Sequence, residues 1–564
     1  MASQGGDRSD AVGSEPPYIR LSQGYNIRLV ELLPGKPNAA LETRLRVHDL
    51  EQAPSYDALS YVWGTQKDKK AIVCSGKTLQ ITRNLEAALR RMRHLDRSKL
   101  LWTDAICMCQ DDVVEKTHHV GFMDKVYRRA DRVLVHMPAS SDARPRDVAS
   151  LVNEHDVRLA SRRLQDMPAI ADDDGLLDDE RWSSLAGLLL RRYGISYTST
   201  HTDWEDWTPD WKANSDYDYS AIDLLSHAKG LGCTDARDRI YAFLGHPLLR
   251  SADDNAPIIL PNYAKDYTEH RLYTDFTVSL LSSATGIKAL SAVEHDEKTI
   301  LDDDSPSRAI RWTMDIIWNS MGYYSLFSYR VSGIAELLGR LHVDTPSGTL
   351  LLEGVFVYTV DRVYQFSEEE EKWPIAGAAN ALASNHDLSS LLSRIAGAVL
   401  AARVEQLVYD RDACWDAMNM SLCTGLTNYE CAEDDLQQHR ANVAAFWHLL
   451  LEVDRAHDFE LASLQDMNAP AHPEGSADRF YDDILLACKG RSFFITKQGD
   501  LGLGPWIAKP GDQCFVLRSA RVPFVLRTVR EGCWKLVGEC YVHGIMNGGF
   551  VDGSDVQWQN LSIN

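Results

Sequence analysis

Residues 104 to 119 concentrate the side chains that acid–base, nucleophilic and metal chemistry draw on: Asp104, Cys107, Cys109, Gln110, Asp112, Glu115, His118 and His119. They sit inside LLWTDAICMCQDDVVEKTHHVGFMDKVYRRADRVLVHM, residues 100–137. An apolar strand with Asp104 in its middle runs into a polar turn, then an amphipathic helix, then a second apolar strand. That is a β-α-β unit, which closes right-handed with its strands parallel. Parallel sheets bind ligands in the crevice beyond the carboxyl ends of their strands. The turn from Cys107 to Asp112 is therefore the first place to look for chemistry.

Each candidate has two readings. Asp104 shares its strand face with Trp102 and Ile106, where a carboxylate is costly to bury unless paired or hydrogen-bonded. It is either an acid touching a ligand at the crevice edge or one that accepts backbone N–H bonds from the turn. Glu115 is either a catalytic carboxylate beside the crevice or the far half of a capping box begun by Asp112. Trp63 and Gly64 end another apolar strand. An indole there can stack on a ring, or it can close the core while glycine makes the turn. Tyr61, Trp63, Gly64, Asp104 and Gln110 together are the candidate ligand contacts.

Cys107 and Cys109 with His118 and His119 offer thiols and imidazoles, but a catalytic thiol needs a base within hydrogen-bond reach. Cys-x-Cys without a second ligand pair is weak spacing for zinc, and Cys414, Cys423, Cys431 and His439 are irregularly spread. No metal site is assigned. No phosphate-binding Walker loop and no Gly-x-Ser-x-Gly elbow occurs. Gly502-x-Gly504 reads as a turn before Pro505, not as a dinucleotide fingerprint.

The elements that must position these residues follow from periodicity. Tyr18–Leu33 and Leu41–Leu50 read as strands. Tyr56–Trp63 is apolar on both faces and fits a central strand. Residues 71–74 and 78–81 flank a Ser75-Gly76 turn, a hairpin signal. Asn84 is placed to cap a helix ending near Leu95. The helix after Asp112 carries Val120, Met123, Tyr127 and Ala130 as its buried stripe. Helices are expected over 148–164, 182–192, 234–245 and 272–281. The middle of the chain is mostly helical, with a strand pair near Gly348–Asp361. Short β runs separated by Gly and Pro fill the end of the chain.

At 564 residues the chain exceeds one compact core. A net charge of −22 opposes non-specific binding to nucleic acid or an anionic membrane surface. The longest apolar run, near 396–408, is interrupted by Arg403 and Glu405, and the start lacks a signal-peptide core. Eleven scattered cysteines suit reduced thiols and an intracellular, cytoplasmic setting.

Four ordered segments now join: YDALSYVWG (56–64), ITRNLEAALRRM (81–92), LWTDAICMCQDDVVEK (101–116) and VGFMDKVYRRADRVLVH (120–136). Together they resemble the heterokaryon-incompatibility (HET) domain of filamentous fungi. TDARDRIYAFLG (234–245) and PNYAKDY (261–267) are similar to that family's downstream motif, and the tail from Gly490 resembles the C-terminal module of its long members. The resemblance implies a fold class of α/β: a TIR-like, flavodoxin-like parallel sheet domain, then a mainly helical region and a small C-terminal β module. It divides the chain into a disordered tail (1–17), the HET-like domain (18–250, with an acidic insertion near 138–180), the helical region (251–480) and the β module (481–564).

The resemblance implies a role in fungal non-self recognition, triggering cell death or growth arrest through protein partners or self-association. No cofactor is required by that role. The alternative implied by the TIR-like relation is an NAD glycohydrolase, with NAD as substrate and Glu115 or Glu205 as its carboxylate. A third is a catalytically degenerate member. The family's aromatic motif ending in Gln-Glu is not recognisable here. Its place reads LLLRRYGISYTSTHTDWEDW (188–207), and Ile-Asn-Gln after the second strand is Met108-Cys109-Gln110. Both departures weigh against NAD cleavage.

Overall fold

The computed structural model describes residues 18, 21, 24–61, 63–64, 67–136, 220–228, 233–251, 256–282, 286–302, 305–313, 329–333, 342–344, 349–367, 369, 373, 377–404, 411–427, 430–455, 475–552 and 556–564. The expected N-terminal tail, the acidic insertion, the helices at 148–164 and 182–192, and Glu205 lie outside the described residues. The chain divides into two compact units. Met1–Ser196 with Cys233–Tyr267 form one, and Tyr197–Gly232 with Thr268–Asn564 form the other.

Among its described residues the first unit has seven strands: β1 (Asn26–Leu32), β2 (Glu42–Asp49), β3 (Asp57–Tyr61), β4 (Lys69–Cys74), β5 (Lys77–Thr82), β6 (Lys99–Trp102) and β7 (Arg132–His136). They form one sheet in the order β5-β4-β2-β1-β6-β3-β7. β3 lies between β6 and β7 and pairs parallel with both. Its side chains are nearly all buried, as a strand covered on both faces requires. β1 runs antiparallel to β6 and β2, so the sheet is mixed.

Asp57 of β3 forms ion pairs with Lys99 of β6 at 2.9 Å and Arg132 of β7 at 3.0 Å. Burial pushes its carboxyl up, but hydrogen bonds to the two cations more than offset this and hold it below its usual range. One acid thereby ties together the starts of all three parallel strands.

Several local expectations are corrected. The first strand begins at Asn26, not at Tyr18. Helix α1 (Arg83–Met92) is capped by the Thr82 hydroxyl, which accepts from the Leu85 N–H, and not by Asn84. Asp104 does not lie mid-strand. β6 ends at Trp102, and Asp104 opens a single helical turn, α2 (Asp104–Cys107), closed by Cys107 N–H on the Thr103 carbonyl at 2.8 Å. The one expected helix after the turn is two, α3 (Val113–Val120) and α4 (Met123–Arg129), separated at Gly121 and Phe122. Phe122 is buried against the rings of Tyr25, His118 and His119, which favours the break. The expected helix over 234–245 is one turn, Asp238–Tyr241.

The β4–β5 hairpin is as expected, with Ser75 and Gly76 both left-handed as a type I′ turn demands. Ala58, Leu59, Leu101 and Ile106 are buried in the core. Val133 is not. It is 48% exposed on β7, which ends the pairing order among the described residues.

In the second unit the expected strand pair near 348–361 is one continuous strand, β9 (Thr349–Gln365), flanked by β8 (His342–Asp344). β10 (Leu426–Thr427) and β11 (Glu430–Cys431) form a small separate ladder. The remaining strands are β12 (Arg491–Thr496), β13 (Leu501–Pro505), β14 (Gln513–Leu517), β15 (Phe524–Arg530), β16 (Cys533–Glu539), β17 (Tyr541–Val542) and β18 (Gln559–Ile563). β9 pairs with β18 through its first half and with β14 through its middle. The path β9-β14-β15-β16-β18 returns to β9, so five strands close into a ring. Closure removes open edges. Val360, Phe494, Val516, Val525, Val537 and Val542 pack in its core.

Helices Ala378–Ser384, His386–Val404, Arg411–Leu422, Leu436–Arg455 and Ala477–Cys488 belong to the same unit. Among the described residues no helix is long and apolar enough to cross a membrane.

Gly502 lies within β13 and not in a turn. A Cβ on it would come 2.4 Å from Phe494 Cζ and 2.5 Å from the Tyr541 carbonyl oxygen. The Gly502→Ala variant is expected to destabilise this unit by about 1–3 kcal/mol. Calorimetry should show one unfolding transition moved down; an unmoved transition would mean that the strand shifts freely.

Candidate functional site

Parallel pairing of β3 with β6 sets their carboxyl ends side by side, as the two strand sequences imply. Tyr61, Trp63 and Gly64 leave β3, and Thr103 and Asp104 leave β6. Trp63 Nε1 donates to Asp104 Oδ2 at 2.9 Å. The other oxygen, Oδ1, accepts the Ala105 N–H at 2.8 Å. Gln110 Nε2 donates to the Asp104 carbonyl at 2.9 Å and braces the turn. Three of the sequence candidates, Trp63, Asp104 and Gln110, are therefore one connected cluster. Gly64 has φ +73°, and a Cβ there would sit 2.7 Å from Asn84 Nδ2, so glycine is needed for both backbone and space.

Burial pushes the Asp104 carboxyl up to about 6, although Trp63 and the Ala105 N–H pull it back. The Tyr61 ring is buried, and burial followed by the Asp104 charge pushes its phenol up. The Tyr61 and Thr103 hydroxyls have no hydrogen-bond partner within proper geometry among the described residues.

A second acid, which sequence reasoning missed, lies near enough for its charge to act on Asp104. The Asp238 charge adds to the rise at Asp104. Burial also raises Asp238 itself, against a hydrogen bond from the Tyr263 hydroxyl. Lys116 Nζ lies 4.0 Å from the Tyr263 ring centroid, within cation–π range. Arg237 pairs with Asp235 at 2.9 Å and donates to the carbonyls of Ala264 and Tyr267 at 3.1 and 3.0 Å. It thus fastens 234–245 to 261–267. The two motifs were visible in the sequence, but nothing in them said that Asp238 would meet Asp104.

Glu115 stands elsewhere in the same network. Asp112 caps α3, accepting from the Val114 and Glu115 N–H groups. The Glu115 carboxylate does not reach back to complete a capping box. Its two oxygens take a buried bidentate pair from Arg28 of β1, at 2.5 and 2.8 Å, and the Cys109 N–H at 2.7 Å. Burial raises its pKa, but Arg28 and the Cys109 N–H outweigh that and hold it below the usual carboxylate range. Arg28 also donates to the Cys107 carbonyl at 3.1 Å.

The Cys107 thiol and both imidazoles are spent on structure. Burial pushes Cys107 up to about 12. His118 contacts the Gly24 carbonyl, and His119 bridges the carbonyls of Glu115 and Asn26. Among the described residues no group of three His, Cys, Asp or Glu side chains is placed to hold a metal ion.

Residues 56–202 match the family model described as heterokaryon incompatibility protein (HET). Residues 411–557 match that of the Het-6 beta-barrel domain. The chain is similar to heterokaryon incompatibility protein 6, OR allele, of Neurospora crassa, with 38% identity over 104 residues. That stretch covers 16% of this chain and 15% of the relative, so the similarity spans only a small part of either protein. No solved structure matches the chain.

Two outcomes follow from the site's charges. Removing one partner of a buried ion pair leaves the other uncompensated, so Arg28→Ala should cost about 3–5 kcal/mol, read by denaturant unfolding. Asp104 carries the opposite sign of pH dependence. Its folded pKa is raised from 3.8 to about 6, so its contribution to stability is lost as pH rises through that window. Buried His119 and His246, both lowered by burial, act the other way there. The readout is therefore a difference: Asp104→Asn should gain stability relative to the wild-type chain as pH rises through this window. A constant difference would mean that Asp104 titrates normally.

Proposed function

The chain is a HET-domain protein of the heterokaryon-incompatibility family, and on that premise we propose that it serves fungal non-self recognition. It triggers growth arrest or cell death from the cytoplasm by assembling with itself or with a protein partner. The observation that carries this reading is the HET match itself, which begins on β3 and takes in Trp63, Asp104, Gln110 and Glu115. The crevice at the ends of β3 and β6 is the acting surface. Glu115 and Arg28 hold the turn that forms its floor. The order β6-β3-β7, second, first, third along the chain, supports a flavodoxin-like, TIR-like ancestry, since such sheets begin 2-1-3.

A second reading, an NAD glycohydrolase, is favoured by one feature. Burial raises the carboxyls of two acids, Asp104 at the crevice and Asp238, whose charge acts on it. Cleavage of the nicotinamide bond builds positive charge on the ribose, and a carboxylate fixed beside it would stabilise that charge. Both oxygens of Glu115 are already taken, so the two aspartates are the acids that chemistry would use.

Expression of the chain in a filamentous fungus should arrest growth. Trp63→Ala should relieve the arrest, while the purified variant keeps the wild-type circular dichroism and unfolding temperature. Arrest that persists with folded Trp63→Ala would remove the crevice as the acting surface. Concentrated protein incubated with NAD should release no nicotinamide; release that disappears in Asp104→Asn would move the conclusion to the enzyme.

A further inference from the structure

The chain as a whole carries a net charge of −22, yet residues 67–99 hold ten lysines and arginines against three acids. Most of these cations lie on the β4–β5 hairpin and on α1, at the end of the pairing order opposite β7. Lys69 stands opposite Thr82 and Lys70 opposite Ile81, while Lys77 opens β5 and Arg83 opens α1. All four are exposed. One acid, Asp68, pairs with Lys70 at 3.7 Å and with Arg83 at 3.3 Å, so a positive surplus remains at the hairpin.

The same edge leaves backbone groups open. Among the described residues β5 pairs with β4 alone. The hairpin closes at Cys74 and Lys77, so Lys77, Leu79 and Ile81 turn their N–H and C=O groups toward β4. Thr78 and Gln80 turn theirs outward, where no partner meets them among the described residues. Both residues are exposed. Natural edges are blunted by proline, by a bulge or by a very short strand. β5 has none of these. It runs six residues without proline, and its register with β4 is unbroken. Charge is what guards it. A second copy of this edge would bring cation to cation, whereas an acidic strand would meet opposite charge.

We propose that the β5 edge docks an extended acidic segment of a protein partner. The segment adds to the sheet as a further strand beside Thr78 and Gln80 and sets its carboxylates among Lys69, Lys70, Lys77 and Arg83. In strand addition the backbone bonds supply affinity and the flanking side chains choose the partner. The open backbone groups select a peptide over a nucleic acid, whose phosphate backbone has no N–H ladder to match them. The whole-chain charge repels a long polyanion that overruns the hairpin, while screening over about 8 Å leaves a short acidic strand to the local surplus. β4, β2 and β1 stand between this edge and β6 at the crevice. The proposal adds a partner surface to the recognition reading, and its failure would leave the crevice untouched.

Fluorescence anisotropy of the full chain with a labelled, alternating glutamate–valine octapeptide tests it. Saturable binding that weakens as salt rises is expected, with none of a lysine–valine octapeptide. Methylating alternate backbone nitrogens of the glutamate peptide keeps its charge and should abolish binding. Gln80→Pro removes an outward N–H and spares the pairing with β4. It should weaken binding about tenfold while circular dichroism and the unfolding temperature hold. Lys69→Glu combined with Lys77→Glu, both at exposed positions, should weaken it about as much. Absence of saturable binding of the glutamate peptide overturns the proposal, and so does binding that survives backbone methylation or the paired Lys→Glu changes. A dimer that sediments without peptide and that Gln80→Pro dissolves would give the edge to a second copy, and would overturn it as well.

Discussion

The buried pair of Arg28 and Glu115 is the constraint on which the first unit depends. Arg28 comes from β1, an antiparallel neighbour of the β6 strand, while Glu115 comes from the first turn of α3. Their bidentate contact is almost fully removed from water. A desolvated ion pair is tolerable only when its remaining donors and acceptors are satisfied. Here the Cys109 N–H and the Cys107 carbonyl complete part of that satisfaction. The same bonds fix the loop between α2 and α3 in place. The loop in turn carries Gln110, which braces Asp104 from behind. The position of the crevice acid therefore traces back to a charge on β1, the antiparallel neighbour of β6.

Around that frame the electrostatics divide by location. Acids at the start of the parallel trio and beneath the turn are paired with cations and held low, as with Asp57 and Glu115. Acids at the carboxyl end, Asp104 and Asp238, are held high chiefly by burial, which their hydrogen bonds and, for Asp238, the charges of Lys116 and Arg237 do not overcome. Paired charges stabilise a scaffold, whereas unpaired and raised ones cluster at functional sites. The contrast supports the proposal that the crevice, and not the Glu115 pair, is the acting face of the unit.

The second unit solves a different problem. A single long strand, β9, serves both the ring of β14, β15, β16 and β18 and the extension through β12, β13 and β17. Register shifts along β9 let one strand turn from one set of partners to the next. Close approach at Gly502 lets β13 and β17 pack over Phe494.

The signals legible in the chain were those that act over a few residues. The two-faced apolar run of β3, the Ser75-Gly76 hairpin, the Asp112 cap and the Gly- and Pro-separated strands near the end all follow from local propensity and pattern. The nearness of the YVWG and DAIC segments was implied by the family resemblance, and the structure pairs β3 with β6 just before them. The partners chosen across long stretches of chain were not legible. Glu115 has capping-box spacing, yet an arginine 87 positions away claims its carboxylate. Asp238 belongs to a visible motif, yet only packing brings it to Asp104. Val133 has the apolar pattern of a core residue, yet among the described residues β7 ends the pairing order and Val133 is exposed. β9 reads as a pair of strands because neither of its halves reveals that the partners change while the strand continues. Local sequence sets the conformations a segment prefers; which distant charge or strand completes it is settled when desolvation makes an unpaired group too costly to leave.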